Sequence, residues 1–303
     1  VVIGGILEHI EQAGVHSGDS ACVLPTYSLS ERVLAQIRTW TCALAQRLNV
    51  VGLMNVQFAI QGEQVYVLEA NPRASRTVPF IAKATGIPLA KLAARVMAGE
   101  RLRDVGFTQE VVPPYYSVKE VVLPFEKFPG TDLILGPEMR STGEVMGIAP
   151  DFGQAYAKSQ IAAGQHLPLS GRVFASFNDR DKQGAVPIIR ELVELGFEVV
   201  ATQGTRQVLL AHGLPVEHVF KLHEGRPHVI DWMKNGQIHL ILNTPSGEDA
   251  YADGQLIRRT ALAYKIPLVT TLAGARATVA AIRALRGGMP APKTIQDYYR
   301  LLR

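Results

Sequence analysis

Val65-Tyr-Val-Leu-Glu-Ala-Asn-Pro-Arg-Ala-Ser-Arg76 is the stretch on which the reading of the chain turns. Val65 to Leu68 is β-branched, aromatic and apolar, which predicts a buried strand. Pro72 lacks a backbone donor and stops the ladder. Side chains alternate along a strand, so Glu69 and Asn71 share a face. A carboxylate and an amide oxygen together at a strand end suit a hard cation such as Mg²⁺. Arg73 and Arg76, just beyond, suit phosphate or another anion.

Working outward, Leu53-Met-Asn-Val-Gln-Phe-Ala-Ile60 predicts a second strand, bounded by the polar turn Gln61-Gly62-Glu63-Gln64. A hairpin centred on Glu63 sets Gln57 opposite Glu69. Gln57, Glu69 and Asn71 then offer three oxygen ligands in one patch. A generic Glu-x-Asn describes a solvated surface hairpin more often than a site. Four functional residue types following an apolar strand, faced by a glutamine, favour the site.

The 303 residues suggest roughly two domains, and an apolar fraction of 47% fills an ordinary core. Cys22 and Cys42 lack metal-ligand spacing and read as packing residues in a reducing compartment. The net charge of +4 is mild, with no basic run or aromatic-interleaved patch for nucleic acid. No apolar run reaches the length of a membrane span. The opening Val1-Val-Ile-Gly-Gly has neither an initiator Met nor a signal-peptide layout, and reads as a strand interior cut from a longer polypeptide.

Before the hairpin, His9 reads as a surface residue. Gly14-Val-His-Ser-Gly18-Asp19 reads as a loop whose glycines allow close backbone approach. Ser30 caps a predicted helix to about Leu48, with Val33, Leu34, Ile37, Ala45 and Leu48 on its packing face. A second helix, Leu89 to Ala98, ends at Gly99 and has a core composition. Tyr115 to Leu123 predicts a strand, Lys127 to Asp132 a turn, and Met139 to Met146 a polar, turn-rich stretch. Asp151 to Ala163 predicts a helix burying Phe152, Tyr156 and Ile161. Gly164 to Gly171 is the best linker.

Beyond it, strands and helices alternate. The expected strands are Val173–Phe177, Phe197–Ala201, His218–Leu222, Ile238–Leu242 and Leu268–Thr271. The expected helices are Ala185–Leu195, Thr205 to His212, Ile230–Lys234, Ile257–Tyr264 and Thr278–Leu285. That alternation predicts a parallel sheet covered on both faces, with ligands beyond its carboxyl ends. The loops there hold Asn178 to Lys182, Thr202 to Thr205, Lys221, Asn243-Thr244 and Thr270-Thr271. Their hydroxyls, amides and lysines suit a phosphate. Asp179 and Asp181 read as helix-capping groups.

Several of these segments resemble one family closely. Asn55-Val-Gln-Phe followed by Glu69-Ala-Asn-Pro-Arg-Ala-Ser-Arg76 resembles the metal and phosphate end of an ATP-grasp domain. Val2 to Asp19, Pro113 to Glu120, Leu135 to Met146 and His223 to His228 resemble the large subunit of carbamoyl phosphate synthetases, over its C-terminal portion. The resemblance implies an α/β fold in three parts. Residues 1–100 are the C-terminal part of the second ATP-grasp domain, with an antiparallel or mixed sheet and helices. Residues 101–165 are the tail of the synthetic unit and a linker. Residues 166–303 are a Rossmann-like, mostly parallel, methylglyoxal-synthase-like regulatory domain.

The resemblance also implies roles. Gly14, Val15, His16 and Ser17 contact ATP. Gln57, Glu69 and Asn71 hold Mg²⁺ or Mn²⁺. Arg73, Arg76 and Asn71 assist phosphoryl transfer to carbamate. Glu11, Asp19 and Glu120 help bind the activator ornithine in some members. Lys182, Thr202, Thr205, Lys221 and Asn243 bind UMP and IMP. Two positions depart from the pattern: Pro245 replaces a common effector-binding Thr, and Leu268 replaces the Tyr of ornithine-responsive members, which argues against ornithine activation. The expected partners are a small glutaminase subunit, ATP, bicarbonate and carbamate, in a cytoplasmic hetero-oligomer without nucleic acid or membrane. The alternatives are a nucleotide-sensing module without catalysis, or another ATP-grasp ligase such as a biotin-dependent carboxylase, which leaves the C-terminal unit unexplained.

Overall fold

The computed structural model describes residues 1–125, 133–244 and 248–302, with backbone alone over 248–253. The turn expected at Lys127 to Asp132 and the departure at Pro245 lie outside the described residues. The first half runs β1 (Glu8–His9), β2 (Cys22–Leu24), α1 (Glu31–Arg47), β3 (Asn55–Gln61), β4 (Gln64–Asn71), α2 (Thr77–Thr85), α3 (Leu89–Met97), β5 (Tyr116–Val122), β6 (Gly143–Ala149) and α4 (Phe152–Ala162). Strands pair in the order β1-β2-β5-β6, antiparallel throughout, while β3 and β4 form a separate two-stranded sheet.

Ser30 caps α1 by accepting from the Val33 amide, and Val33, Leu34, Ile37 and Ala45 face inward at helical spacing. Leu48 lies at the C-cap, past the last turn, and is exposed. Val33 and Ile37 pack on Val65 and Phe58, so one face of the hairpin rests on α1. Its other face is open. Of the strand expected to be buried, only Val65 is; Leu68 is 52% exposed. A two-stranded sheet has too few neighbours to cover both faces.

The hairpin turn is Gly62-Glu63, with Gln61 paired to Gln64, rather than a turn centred on Glu63. Gly62 takes the left-handed conformation such a turn requires, at φ 61°. A bulge between Gln57 and Phe58 then shifts the register by one residue and brings Gln57 opposite Glu69.

Other expectations shift for local reasons. Helix α3 buries only Leu89; Leu92 packs partly buried on the cluster around Phe80 and Ile81, and Leu92, Ala93 and Val96 also line a cavity. The Glu144 to Met146 part of the supposed turn-rich stretch lies in β6, held by its ladder to β5. Helix α4, capped by Asp151, buries Tyr156 but leaves Ile161 exposed, because it turns small residues, Gly153, Ala155 and Ala157, to its neighbours. A Cβ on Gly147 of β6 would lie 2.1 Å from the Ala155 carbonyl, so these two backbones touch.

The second half runs β7 (Arg172–Phe177), α5 (Lys182–Glu194), β8 (Glu198–Ala201), α6 (Gln203–Ala211), β9 (Glu217–His218), α7 (Val229–Lys234), β10 (Leu240–Thr244), α8 (Glu248–Ala263), β11 (Leu268–Val269), α9 (Leu272–Arg286) and α10 (Ile295–Arg300). Its sheet is parallel, in the order β11-β10-β7-β8-β9. Alternation along β7 feeds two cores. Val173 and Ala175 join Ile189, Leu192, Val279 and Ile282 on one face, and Phe174 joins Ile230, Met233 and Ile257 on the other. The chain is thus an α/β protein with a mixed arrangement of antiparallel sheets and one doubly covered parallel sheet.

The strand expected over His218 to Leu222 shortens to Glu217–His218, because the Lys221 amide donates to the Glu224 carboxylate and turns the chain. Helix α9 begins at Leu272, six residues before the expected Thr278, with Thr271 accepting from the Gly274 amide as its cap. Helix α10 was not anticipated; six residues give no clear period, although Thr294 and Asp297 form a capping box. It returns to the first half, where the Tyr298 hydroxyl donates to the Ile148 carbonyl at 3.0 Å and the Tyr299 hydroxyl to the Lys83 carbonyl at 2.8 Å. Helix α4 packs on α9: Ala155 and Ala157 share a core with Ala277 and Ala281, and a Cβ on Gly153 would meet the Ala280 carbonyl at 2.6 Å. Among the described residues no helix is long and apolar enough to cross a membrane.

Candidate functional site

The open end of the hairpin gathers the oxygen-bearing side chains. Gln57 faces Glu69 in the ladder and Asn55 faces Asn71. Asn71 Nδ2 donates to Glu69 Oε1 at 3.0 Å, which fixes both side chains on one face. The Asn71 carbonyl accepts from the Arg73 amide at 2.8 Å, the turn that follows Pro72. Arg73 and Arg76 are exposed; Arg73 Nη1 donates to the Ala74 carbonyl, and Arg76 is the N-cap of α2. One carboxylate and two amides make an all-oxygen donor set, which fits Mg²⁺ or Mn²⁺ better than a softer metal. Among the described residues no cluster of three His, Cys, Asp or Glu side chains is placed to hold a metal. A cation at Glu69 therefore needs further oxygens from elsewhere, as a nucleotide's phosphates would provide.

Behind the hairpin lies a cavity of about 690 Å³. Gly14, Val15 and Ser17 line it, as do Gln57 and Leu68. The glycine loop and the hairpin thus share one space, whereas Glu69, Asn71, Arg73 and Arg76 stand outside its lining. The His16 side chain does not enter the cavity: its Nδ1 accepts from the Gly18 amide at 3.0 Å, holding the loop's own turn. Lys119, almost wholly buried, braces the same loop from below by donating to the Ser17 and Gly18 carbonyls.

Glu120 is buried and Glu11 half-buried, near enough for their charges to interact. Burial pushes the Glu120 carboxyl up to about 7, and the neighbouring Glu11 charge adds to the effect. Burial also raises Glu11. Glu120 accepts from the Val121 amide and from Gln160 Nε2. Tyr156 rises well above the usual phenol range through burial, then the Glu120 and Glu11 charges. Asp19 is placed differently. Its two oxygens accept from the Arg140 and Ser141 amides at 2.7 and 2.9 Å, so it pins the loop to the 140–141 segment. His9, expected at the surface, is half-buried, and desolvation with the Lys119 charge lowers it to about 4.

At the carboxyl end of the parallel sheet, a cavity of about 210 Å³ is lined by Lys182, Thr202, Thr205, Lys221 and Asn243 together. The crossover between β7 and β10 opens this crevice, the place where such sheets bind ligands. The lysines and hydroxyls form one wall; Phe174, Leu222, Val229 and Ile257 form an apolar one. Thr205 also accepts from the Phe177 amide at 3.0 Å, tying α6 to the end of β7. Asp181 makes no capping bond to α5, and Asp179 pairs with Lys182. Asn178 instead closes the turn ahead of α5, accepting from the Arg180 and Asp181 amides. Neither aspartate is the capping group expected from sequence.

The apolar wall and the residues around Glu120 escaped the sequence reading. Tyr156 and Gln160 lie four apart on α4 and so share a face, a signal that was available. The apolar wall comes from four separate elements and leaves no local pattern.

Two family models match. The "Carbamoyl-phosphate synthase L chain, ATP binding domain" matches residues 1–105 and the "MGS-like domain" matches residues 184–270. The carbamoyl phosphate synthase large chain of Nostoc sp. is 67% identical over 98% of this chain and 27% of its own length. The arginine-specific chloroplastic large chain of Oryza sativa is 59% identical over 99% of this chain and 26% of its own. That of Archaeoglobus fulgidus is 53% identical over 99% and 28%. Among solved structures, the biotin carboxylase domain of a thermophilic 2-oxoglutarate carboxylase aligns over 52% of this chain and 41% of its own, at 17% identity and a TM-score of 0.41. With both domain models matched and high identity along nearly its whole length, the chain closely resembles part of the carbamoyl phosphate synthase large chains, spanning 27% of the Nostoc relative.

Proposed function

We propose that this chain contributes to an ATP-dependent ligase that phosphorylates carbamate to carbamoyl phosphate, under nucleotide control from its parallel-sheet domain. The observation that carries the reading is the meeting of Gln57, Glu69 and Asn71 at one hairpin end, with two arginines immediately beyond. Phosphoryl transfer requires positioning and charge stabilisation rather than a protein nucleophile. Glu69, Gln57 and Asn71 would hold Mg²⁺ or Mn²⁺, which neutralises phosphate charge when bound. Arg73 and Arg76 bring guanidinium charge to the transferred group and to carbamate. Gly14, Val15 and Ser17 line the space for the rest of the nucleotide, and His16 shapes that loop through the Gly18 amide. Residues 1–100, 101–165 and 166–303 act as ATP-grasp part, synthetic tail and regulatory domain. The partners of the assembled enzyme are a small glutaminase subunit and bicarbonate-derived carbamate, in the cytoplasm.

Glu69→Gln in the complete synthetase abolishes carbamoyl phosphate formation in a steady-state assay, while unaltered turnover would remove the assignment.

A second reading, a nucleotide sensor without catalysis, is favoured by the convergence of Lys182, Thr202, Thr205, Lys221 and Asn243 on one pocket. Isothermal titration separates the two. Binding of UMP that is lost in Lys221→Ala, with no binding of Mg-ATP, supports the sensor reading alone; binding of both ligands supports the ligase. The neighbouring Glu11 and Glu120 carboxyls suit a small cation such as ornithine in charge, although Leu268 departs from the responsive pattern.

A further inference from the structure

The sheet-end pocket already contains an anion of its own. Asp179 leaves the turn between β7 and α5 with its side chain 94% exposed, yet its Oδ1 accepts from Lys182 Nζ at 2.5 Å. The turn does not need this bond, since Asn178 Oδ1 takes the Arg180 and Asp181 amides and Asn178 Nδ2 donates to Asp181. The Lys182 hydrogen bond and charge hold the Asp179 carboxyl below the usual carboxylate range, and the Lys221 charge adds to this. Asp179 therefore lies in the field of both lysines that line the pocket.

The lysine has reason to take a counter-ion. A Cβ on Gly204 would lie 2.8 Å from Lys182 Nζ, which puts the ammonium over the first turn of α6. A helix start carries partial positive charge, so a cation there is unfavourable without an anion beside it. Asp179 supplies that anion from solvent, on a side chain free to swing away.

We propose that Asp179 is a built-in competitor, which occupies Lys182 in the empty pocket and must be displaced by the ligand's phosphate. The inference rests on reading this pocket as a phosphate-effector site. A doubly charged phosphomonoester outbids one exposed carboxylate for the lysine. Exposed ion pairs contribute little, so the effect is modest: about two- to fivefold in affinity.

The test is isothermal titration of the chain, wild type and Asp179→Asn, with UMP and inorganic phosphate. Asp179→Asn binds UMP and phosphate about two- to fivefold more tightly. Glu194→Gln, which removes a charge at the far end of α5, leaves affinity unchanged. If wild type binds UMP and Asp179→Asn binds it no better, the competitor role falls while the phosphate site stands. An equal gain in Glu194→Gln also overturns the competitor role, by showing a general charge effect. If neither protein binds UMP or phosphate, the phosphate site and the competitor fall together.

Discussion

The hairpin of β3 and β4 and the five-stranded parallel sheet solve the same problem, holding polar groups near a ligand, in opposite ways. The hairpin is thin: one face rests on α1, and Leu68 stands 52% exposed on the other. Its site residues are neighbours because of local register. The parallel sheet is covered on both sides, and its pocket residues come from six separate segments. A locally built site depends little on the rest of the fold for its geometry; a convergent one depends on the whole sheet. The comparison can be tested through stability.

The largest expected difference is between cores. Leu240→Ala, wholly buried in β10, costs about 2–5 kcal/mol in urea unfolding. Val67→Ala on the exposed hairpin face changes stability by less than about 0.5 kcal/mol. Equal losses would erase the contrast between thin and doubly covered sheets.

Glu120 gives the next effect, in a third setting between the two. Its folded value is near 7 and its unfolded value 4.5. Between these, the folded chain keeps a proton that the unfolded chain has released. Stability therefore falls as pH rises from about 4.5 to about 7 and levels off above. Glu11, whose carboxyl burial also raises, and the Lys119 ammonium face the same carboxyl. Glu120→Gln flattens that slope and raises stability at pH 8 by about 1–3 kcal/mol, read from urea midpoints across pH 5 to 8.

Two cap deletions sharpen the comparison at smaller scale. Asp151→Ala, which loses the 3.1 Å bond to the Gln154 amide at the start of α4, costs about 1 kcal/mol. Ser30→Ala loses a longer 3.4 Å cap bond and the tie from Ser30 Oγ to Glu63 in the hairpin turn. It costs about 0.5 kcal/mol by thermal unfolding. The same substitution loosens the hairpin turn, which amide exchange at Gln64 reports.

The two regions also differ in how far sequence alone reveals them. Glu69 and Asn71 were readable as a pair because a strand's period of two is strictly local. The opposition of Gln57 and Glu69 came out as expected, but the two-residue turn and the bulge that compensates for it left no sequence mark. Alternating strands and helices announced the parallel sheet, and the loops at its carboxyl ends followed from that topology. What stayed hidden was non-local: the apolar wall of the pocket, the return of α10 to α2, and the use of Asp19 as a backbone staple. Burial of His9 was hidden for the same reason: the charge that acts on it, Lys119, stands far along the chain. Helix ends moved where a glycine or a short polar turn, as at Gly274 or Lys221, weakened the apparent period while capping bonds carried the helix or turn onward.

Where α4 meets α9, Gly153 approaches the Ala280 carbonyl with no side chain between, and Gly147 of β6 touches the far side of α4 in the same way. A joint made of main chain has nothing soft in it to compress. Any displacement of α9 is passed through α4 to the antiparallel sheet undamped, and every residue larger than glycine at 147 or 153 would wedge that linkage apart.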